Sequence, residues 1–132
     1  MSFLGFAIAT SLQAATPAAA AMPPMPEDLN EIPIAEFRNK PTYAYRESLK
    51  AKKLTKGCEP TRKVNDGEYY FVSVVMLTDG AGGLKRVTPV SIDCPPLEEY
   101  VARYFARTGK DNMQPTADGK PAWRRTMLKF YW

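Results

Sequence analysis

Residues Glu68 to Thr78 read Glu-Tyr-Tyr-Phe-Val-Ser-Val-Val-Met-Leu-Thr, and both alternating sets are apolar. Tyr70, Val72, Val74 and Met76 form one set. Tyr69, Phe71, Val75 and Leu77 form the other, interrupted only by Ser73. Successive side chains of a strand point to opposite faces of its sheet. A strand that is apolar on both faces is therefore central rather than peripheral.

The residues after this strand set the order of elements. Asp79-Gly80-Ala81-Gly82-Gly83 supplies residues that accept positive φ, as a hairpin loop requires. A second strand is expected over Leu84–Ile92. Pro89 cannot donate to a ladder, which places this strand at an edge or on a bulge, and Lys85 and Arg86 also suit an edge. A helix is expected over Pro95–Thr108. Asp93 lies near its N-cap, and Pro95 or Pro96 can take the first helical position. Glu98 and Glu99 in the first turn and Arg103 and Arg107 in the last complement the macrodipole, and Glu99 and Arg103 form an i, i+4 pair. Leu97, Tyr100, Val101, Tyr104 and Phe105 make one apolar stripe, and Gly109 stops the helix. After a loop with the turn Asp118-Gly119, a last strand runs from Arg124 to Trp132. Thr126, Leu128, Phe130 and Trp132 form the face expected to pack on the helix; Arg125, Met127, Lys129 and Tyr131 form the other.

A hairpin followed by a crossover helix brings the last strand to the free side of the first strand. The expected fold is α+β: a small three-stranded antiparallel sheet of order 2-1-3, packed on one main helix. An additional helix is expected nearer the N-terminus, over Tyr43–Lys56, with Tyr45 and Leu49 on its apolar stripe and Gly57 as its stop.

At 132 residues the chain has room for one domain. It contains no histidine, which excludes histidine-based triads, metal sites and general bases. The remaining polar candidates for chemistry are Asp79, Asp93, Glu98, Glu99 and Tyr100. Turn and capping roles account for them, so no catalytic residue, metal site or cofactor is expected and the protein reads as a non-enzyme.

The first 21 residues hold an apolar run, Phe3 to Leu12, followed by small residues such as Ala19-Ala20-Ala21. This is the pattern of a signal peptide, or else of an N-terminal anchor; the run is short of the roughly 20 apolar residues that span a bilayer. Residues 22–40 are rich in proline and read as a spacer. Cys58 and Cys94 are the only cysteines. In an exported chain an even count favours a disulfide, here closing a loop of about 37 residues and stabilising by roughly 3–4 kcal/mol.

The net charge is +4, and a basic patch stands out at Arg46, Lys50, Lys52, Lys53 and Lys56. Such a run reads first as a solvated helix face; the sharper alternative is an anionic surface such as lipid headgroups. No nucleic-acid-binding motif accompanies it, and no nucleic-acid partner is expected.

The hairpin Tyr69–Ile92, the helix Leu97–Arg107 and the segment Pro115-Thr116-Ala117-Asp118-Gly119-Lys120-Pro121 before a terminal aromatic strand resemble the C-terminal domain of TonB-like proteins, over about residues 41–132. The resemblance implies a periplasmic domain of the cell envelope whose last strand takes peptide segments of outer-membrane transporters. Carried onto this sequence, the binding edge comprises Arg124, Arg125, Met127, Lys129 and Tyr131. An energy transducer of that type is one expectation. With no histidine for a proton-driven motor and a proline-rich stretch, Ala21–Pro33, that reaches only about 40 Å, a short periplasmic relative that binds an envelope protein or peptide fits better. A structural subunit or homodimer is the alternative.

Overall fold

The computed structural model describes residues 22–43, 45–65 and 67–132, and for Tyr45 its backbone only. The expectation of a signal peptide or anchor over residues 1–21 lies outside the described residues, among which no helix is long and apolar enough to cross a membrane. A 3₁₀ turn at Leu29–Glu31 is followed by α1 (Tyr45–Leu54), β1 (Arg62–Val64), β2 (Gly67–Thr78), β3 (Leu84–Pro89), α2 (Pro95–Thr108) and β4 (Ala122–Tyr131).

β2 organises the α+β fold. β4 pairs antiparallel with it along ten residue pairs, from Tyr69↔Tyr131 to Thr78↔Ala122. That occupies one edge of β2 throughout. The other edge is shared: β1 pairs with its start, Arg62↔Tyr69 to Val64↔Gly67, and β3 with its end, Val74↔Pro89 to Thr78↔Leu84. The expected order of hairpin partner, central strand and last strand is therefore present, with a short fourth strand added. β1 escaped sequence reading because Arg-Lys-Val carries no alternation; it forms because Asn65 turns the chain at φ +51° back onto β2. Pro89 sits opposite Val74 where its missing N–H points away from β2, so the ladder loses nothing.

One face of the sheet carries the main core. Leu97, Val101, Tyr104 and Phe105 of α2 pack against Tyr70, Val72, Val74 and Met76 of β2 and Phe130 of β4, joined by Ala51 and Met113. Each such side chain, fully removed from water, stabilises by roughly 1.5–3 kcal/mol. Cys94 is the N-cap of α2, and Asp93 directly precedes it as expected. Cys94 makes no side-chain cap; instead Glu98 Oε2 accepts from its N–H at 2.8 Å, and Pro95 opens the helix. Asp93 adopts φ +59° and leads the chain into that turn. α1 is rotated from its expected setting. Its buried position is Ala51, which joins the main core, while Leu49 remains 46% exposed.

The second face is covered over half its length. Val75, Leu77 and Trp123 are buried there by Ile32, with Leu29 and Val90 at the margin. The expected spacer thus lies against the domain: Ile32 is 1% exposed, and Trp123 Nε1 donates to the carbonyl of Pro23 at 2.8 Å. Arg38 fixes its far end, donating to the carbonyls of Met113 (3.1 Å) and Ala81 (3.0 Å).

Cys58 and Cys94 are joined, tying the turn after α1 to the start of α2. The bridge closes a separation of 36 residues, so replacing both cysteines with alanine is expected to cost about 3–4 kcal/mol. Urea unfolding of the double variant measures this; an unchanged midpoint would show that the fold does not depend on the bridge.

Candidate functional site

Backbone phase decides which residues of β4 can meet a partner. Glu68 and Trp132 exchange both backbone hydrogen bonds, at 2.9 and 3.3 Å. Alternation from that pair turns the N–H and C=O of Arg124, Thr126, Leu128 and Phe130 toward β2, and those of Arg125, Met127, Lys129 and Tyr131 outward.

Of the five residues expected at this edge, two do not offer it free groups. Arg124 faces β2 opposite Met76. Arg125 faces outward but is already satisfied: its N–H donates to Pro33 O at 3.0 Å, its C=O accepts from Ala35 at 2.8 Å, and its Nε donates to Ile32 O at 2.7 Å. The segment around Ile34 thus lies parallel on β4 as a short added strand. At Glu36 it leaves to pair with the loop after α2, where Gln114 N–H donates to Glu36 O at 2.9 Å and Arg38 N–H to Asn112 O at 2.8 Å. Met127, Lys129 and Tyr131 remain, with no outward backbone partner among the described residues.

Apolar surface gathers at this open half. Ile34 is 67% exposed, Met127 52% and Tyr131 55%. On the α2 side of the edge a groove of about 560 Å³ runs between Phe37, Tyr104, Phe105 and Leu128. On the other side lies a smaller hollow of about 220 Å³ bounded by Ile34, Ser73, Arg125 and Met127. The uncovered half of the second sheet face continues from it. There Tyr69 stacks on Tyr131, with ring centroids 4.4 Å apart, and on Phe71 at 5.9 Å, while Lys129 Nζ sits 5.7 Å from the Tyr69 ring. Gly67 makes this row possible: a Cβ there would collide with the Tyr131 ring. Sequence reading named the strand but not Ile34, Tyr69 or Phe71. The signal was the doubly apolar pattern of β2, which the chain itself covers on both faces only from Val74 onward.

Two of the carboxylates considered for chemistry, Asp79 and Glu98, serve the backbone. Asp79 Oδ1 accepts from Ala81 N–H at 2.8 Å and Gly83 N–H at 2.9 Å, closing the β2–β3 turn. These bonds hold its carboxyl below the ordinary aspartate value of 3.8. Glu98 accepts at the start of α2, and Glu99 pairs with Arg103.

The basic patch runs across the exposed face of α1, from one margin to the other. Arg46 and Lys50 join Arg103 and Arg107 of α2 around a hollow of about 300 Å³; Lys52, Lys53 and Lys56 lie toward Tyr70 and Trp132. Glu47 lies between the helices with Oε2 buried and unpaired. Burial first, and then the charge of Glu47, push the phenols of Tyr100 and Tyr104 above their ordinary range.

The whole is an α+β domain in which β4 has a half-open edge, while β3, paired only with β2, has an open outer edge as well among the described residues. Compared with known protein families, curated proteins and solved structures, the chain matches none.

Amide hydrogen exchange reads the edge directly. Arg125, Thr126, Leu128 and Phe130 are expected to exchange slowly, and Met127, Lys129 and Tyr131 at least about tenfold faster; uniform protection would mean that the edge is not open. The Asp79 turn gives a pH signature. Because its pKa is lowered on folding, its contribution is complete above the ordinary aspartate value and is lost as pH falls through the lowered one. The Tm gap between the wild type and Asp79→Ala should therefore narrow as pH falls below the ordinary aspartate value of 3.8 and close once the lowered one is passed.

Proposed function

We propose that the protein is a non-enzymatic binding module of the cell envelope that takes an extended peptide, or an extended segment of an envelope protein, as an added strand on β4. The observation that carries this reading is the row of unpaired outward groups at Met127, Lys129 and Tyr131, flanked by a groove on one side and exposed apolar side chains on the other. Strand addition draws affinity from main-chain bonds and specificity from pockets for alternate side chains. The Ile34 segment supports it further, since that stretch already adds a parallel strand one step along the same edge.

The disulfide is consistent with an oxidising compartment and supports a periplasmic or secreted location. The order hairpin, helix, edge strand supports a relationship to TonB C-terminal domains, and with it a part in transport across the envelope. This step is an analogy of fold, and function rests on the edge.

Met127→Pro tests it. The Met127 N–H points away from β2, so proline removes an outward donor and leaves the β2–β4 ladder intact. Peptides selected by the wild type from a random display library are expected to bind this variant at least about tenfold more weakly, with the circular dichroism spectrum unchanged. Undiminished binding would move the site elsewhere. A stable dimer in sedimentation that the same proline dissociates would assign the edge to self-association instead.

A further inference from the structure

α1 is basic over its whole exposed half. At about 100° per residue, its exposed positions follow one another around the helix as Lys52, Lys56 in the turn just beyond, Leu49, Lys53, Arg46 and Lys50. They span about 160° of the circumference and include no carboxylate. Leu49, 46% exposed, lies within this band of cations. The opposite half holds Ala51, 0% exposed, and the half-buried Glu47, Ser48 and Leu54, and it packs toward α2 and β4. Rotation of the helix about the small Ala51 contact is what turns Leu49 outward.

α2 extends the same surface. Arg103 and Arg107 are exposed beside Arg46 and Lys50 across the hollow between the helices. Among the described residues the one ion pair is Arg103 with Glu99, so the five cations of α1 have no carboxylate partner. This surface, with Glu47, Glu68 and Glu99, holds seven of the eighteen basic residues and three of the fourteen acidic ones; the rest of the sequence has eleven basic and eleven acidic residues. The basic excess of the protein therefore resides here.

We infer that the exposed face of α1 docks on an anionic lipid bilayer, with Arg46, Lys50, Lys52, Lys53 and Lys56 at the headgroups and Leu49 reaching the apolar boundary. A basic helix face with an apolar centre suits a membrane surface better than it suits a protein groove, where unpaired lysines would have to be desolvated. Lysine and arginine near an anionic surface act additively and at low cost in order, because each keeps its hydration. α1 packs on the α2 side of the sheet, opposite the open face that carries Tyr69, Phe71 and Tyr131. The inference is independent of strand addition at β4.

The test uses the full chain in its oxidised form and vesicles of phosphatidylcholine with or without about 30% phosphatidylglycerol. The apolar segment before residue 22 is common to all variants, so the readout is the preference for anionic over neutral vesicles. The wild type is expected to partition at least about tenfold more strongly onto the anionic vesicles, and salt should weaken this. Lys50→Glu/Lys53→Glu should abolish the preference, and Leu49→Asp should lower binding about fivefold while leaving its salt dependence. Leu49→Trp should shift its emission to the blue on anionic vesicles only. The inference is overturned if the wild type shows no preference, or if Lys50→Glu/Lys53→Glu keeps it with an unchanged Tm. Binding to a soluble polyanion such as heparin without binding to vesicles overturns it as well, in favour of a polyanion site. Met127→Pro should leave vesicle binding unchanged whether or not it affects peptide binding.

Discussion

The structure depends on the need of one strand to satisfy four sides at once. β2 has two apolar faces and two hydrogen-bonding edges. α2 covers one face, with Leu97, Val101, Tyr104 and Phe105 meeting Tyr70, Val72, Val74 and Met76. β4 closes one edge along its full length, and β1 and β3 divide the other. The remaining face receives the N-terminal segment, through Ile32, only over Val75 and Leu77. Each other element is placed by one of these demands, and the disulfide fastens the start of α2 where it begins to cover the sheet.

The candidate site is what this arrangement leaves over. The N-terminal segment pairs with Arg125 and then departs at Glu36, because Phe37 and Arg38 are drawn to the loop around Met113. The same departure leaves Met127, Lys129 and Tyr131 unpaired and Tyr69 and Phe71 without a cover. An edge that were simply unprotected would expose backbone to any passing strand. Here it is bounded by a groove on one side and an aromatic row on the other, features that, on the proposed function, would discriminate among partners. The basic face of α1 lies on the helix side of the molecule, opposite the open sheet face. A domain resting on an anionic bilayer through α1 would present β4 to segments of envelope proteins.

Much of the fold was legible because it is local. The α2 stripe, its opening prolines and its terminal charges name a helix with one buried face, and the helix has the expected bounds. The alternation in Arg124–Trp132 assigned Leu128, Phe130 and Trp132 to the core side correctly. Reading failed where tertiary packing outweighed propensity. In α1, Leu49 is the more apolar residue, yet Ala51 is the one buried in the main core. β1 has no pattern of its own and exists only because β2 has an unpaired end.

By itself the sequence determined the central strand, the hairpin, the main helix, the last strand, and the cysteines available for one bridge. These come from side-chain alternation, helical periodicity and turn chemistry, which act within a few residues of one another. Only the tertiary structure decided which backbone groups of β4 are free. Arg124 and Arg125 are as suitable by type as Lys129, but one faces β2 and the other is held by Pro33 and Ala35, far away in sequence. It likewise decided that all five cations of α1 share one exposed face with Leu49, since the rotation of a helix is set by what its other side must fit against.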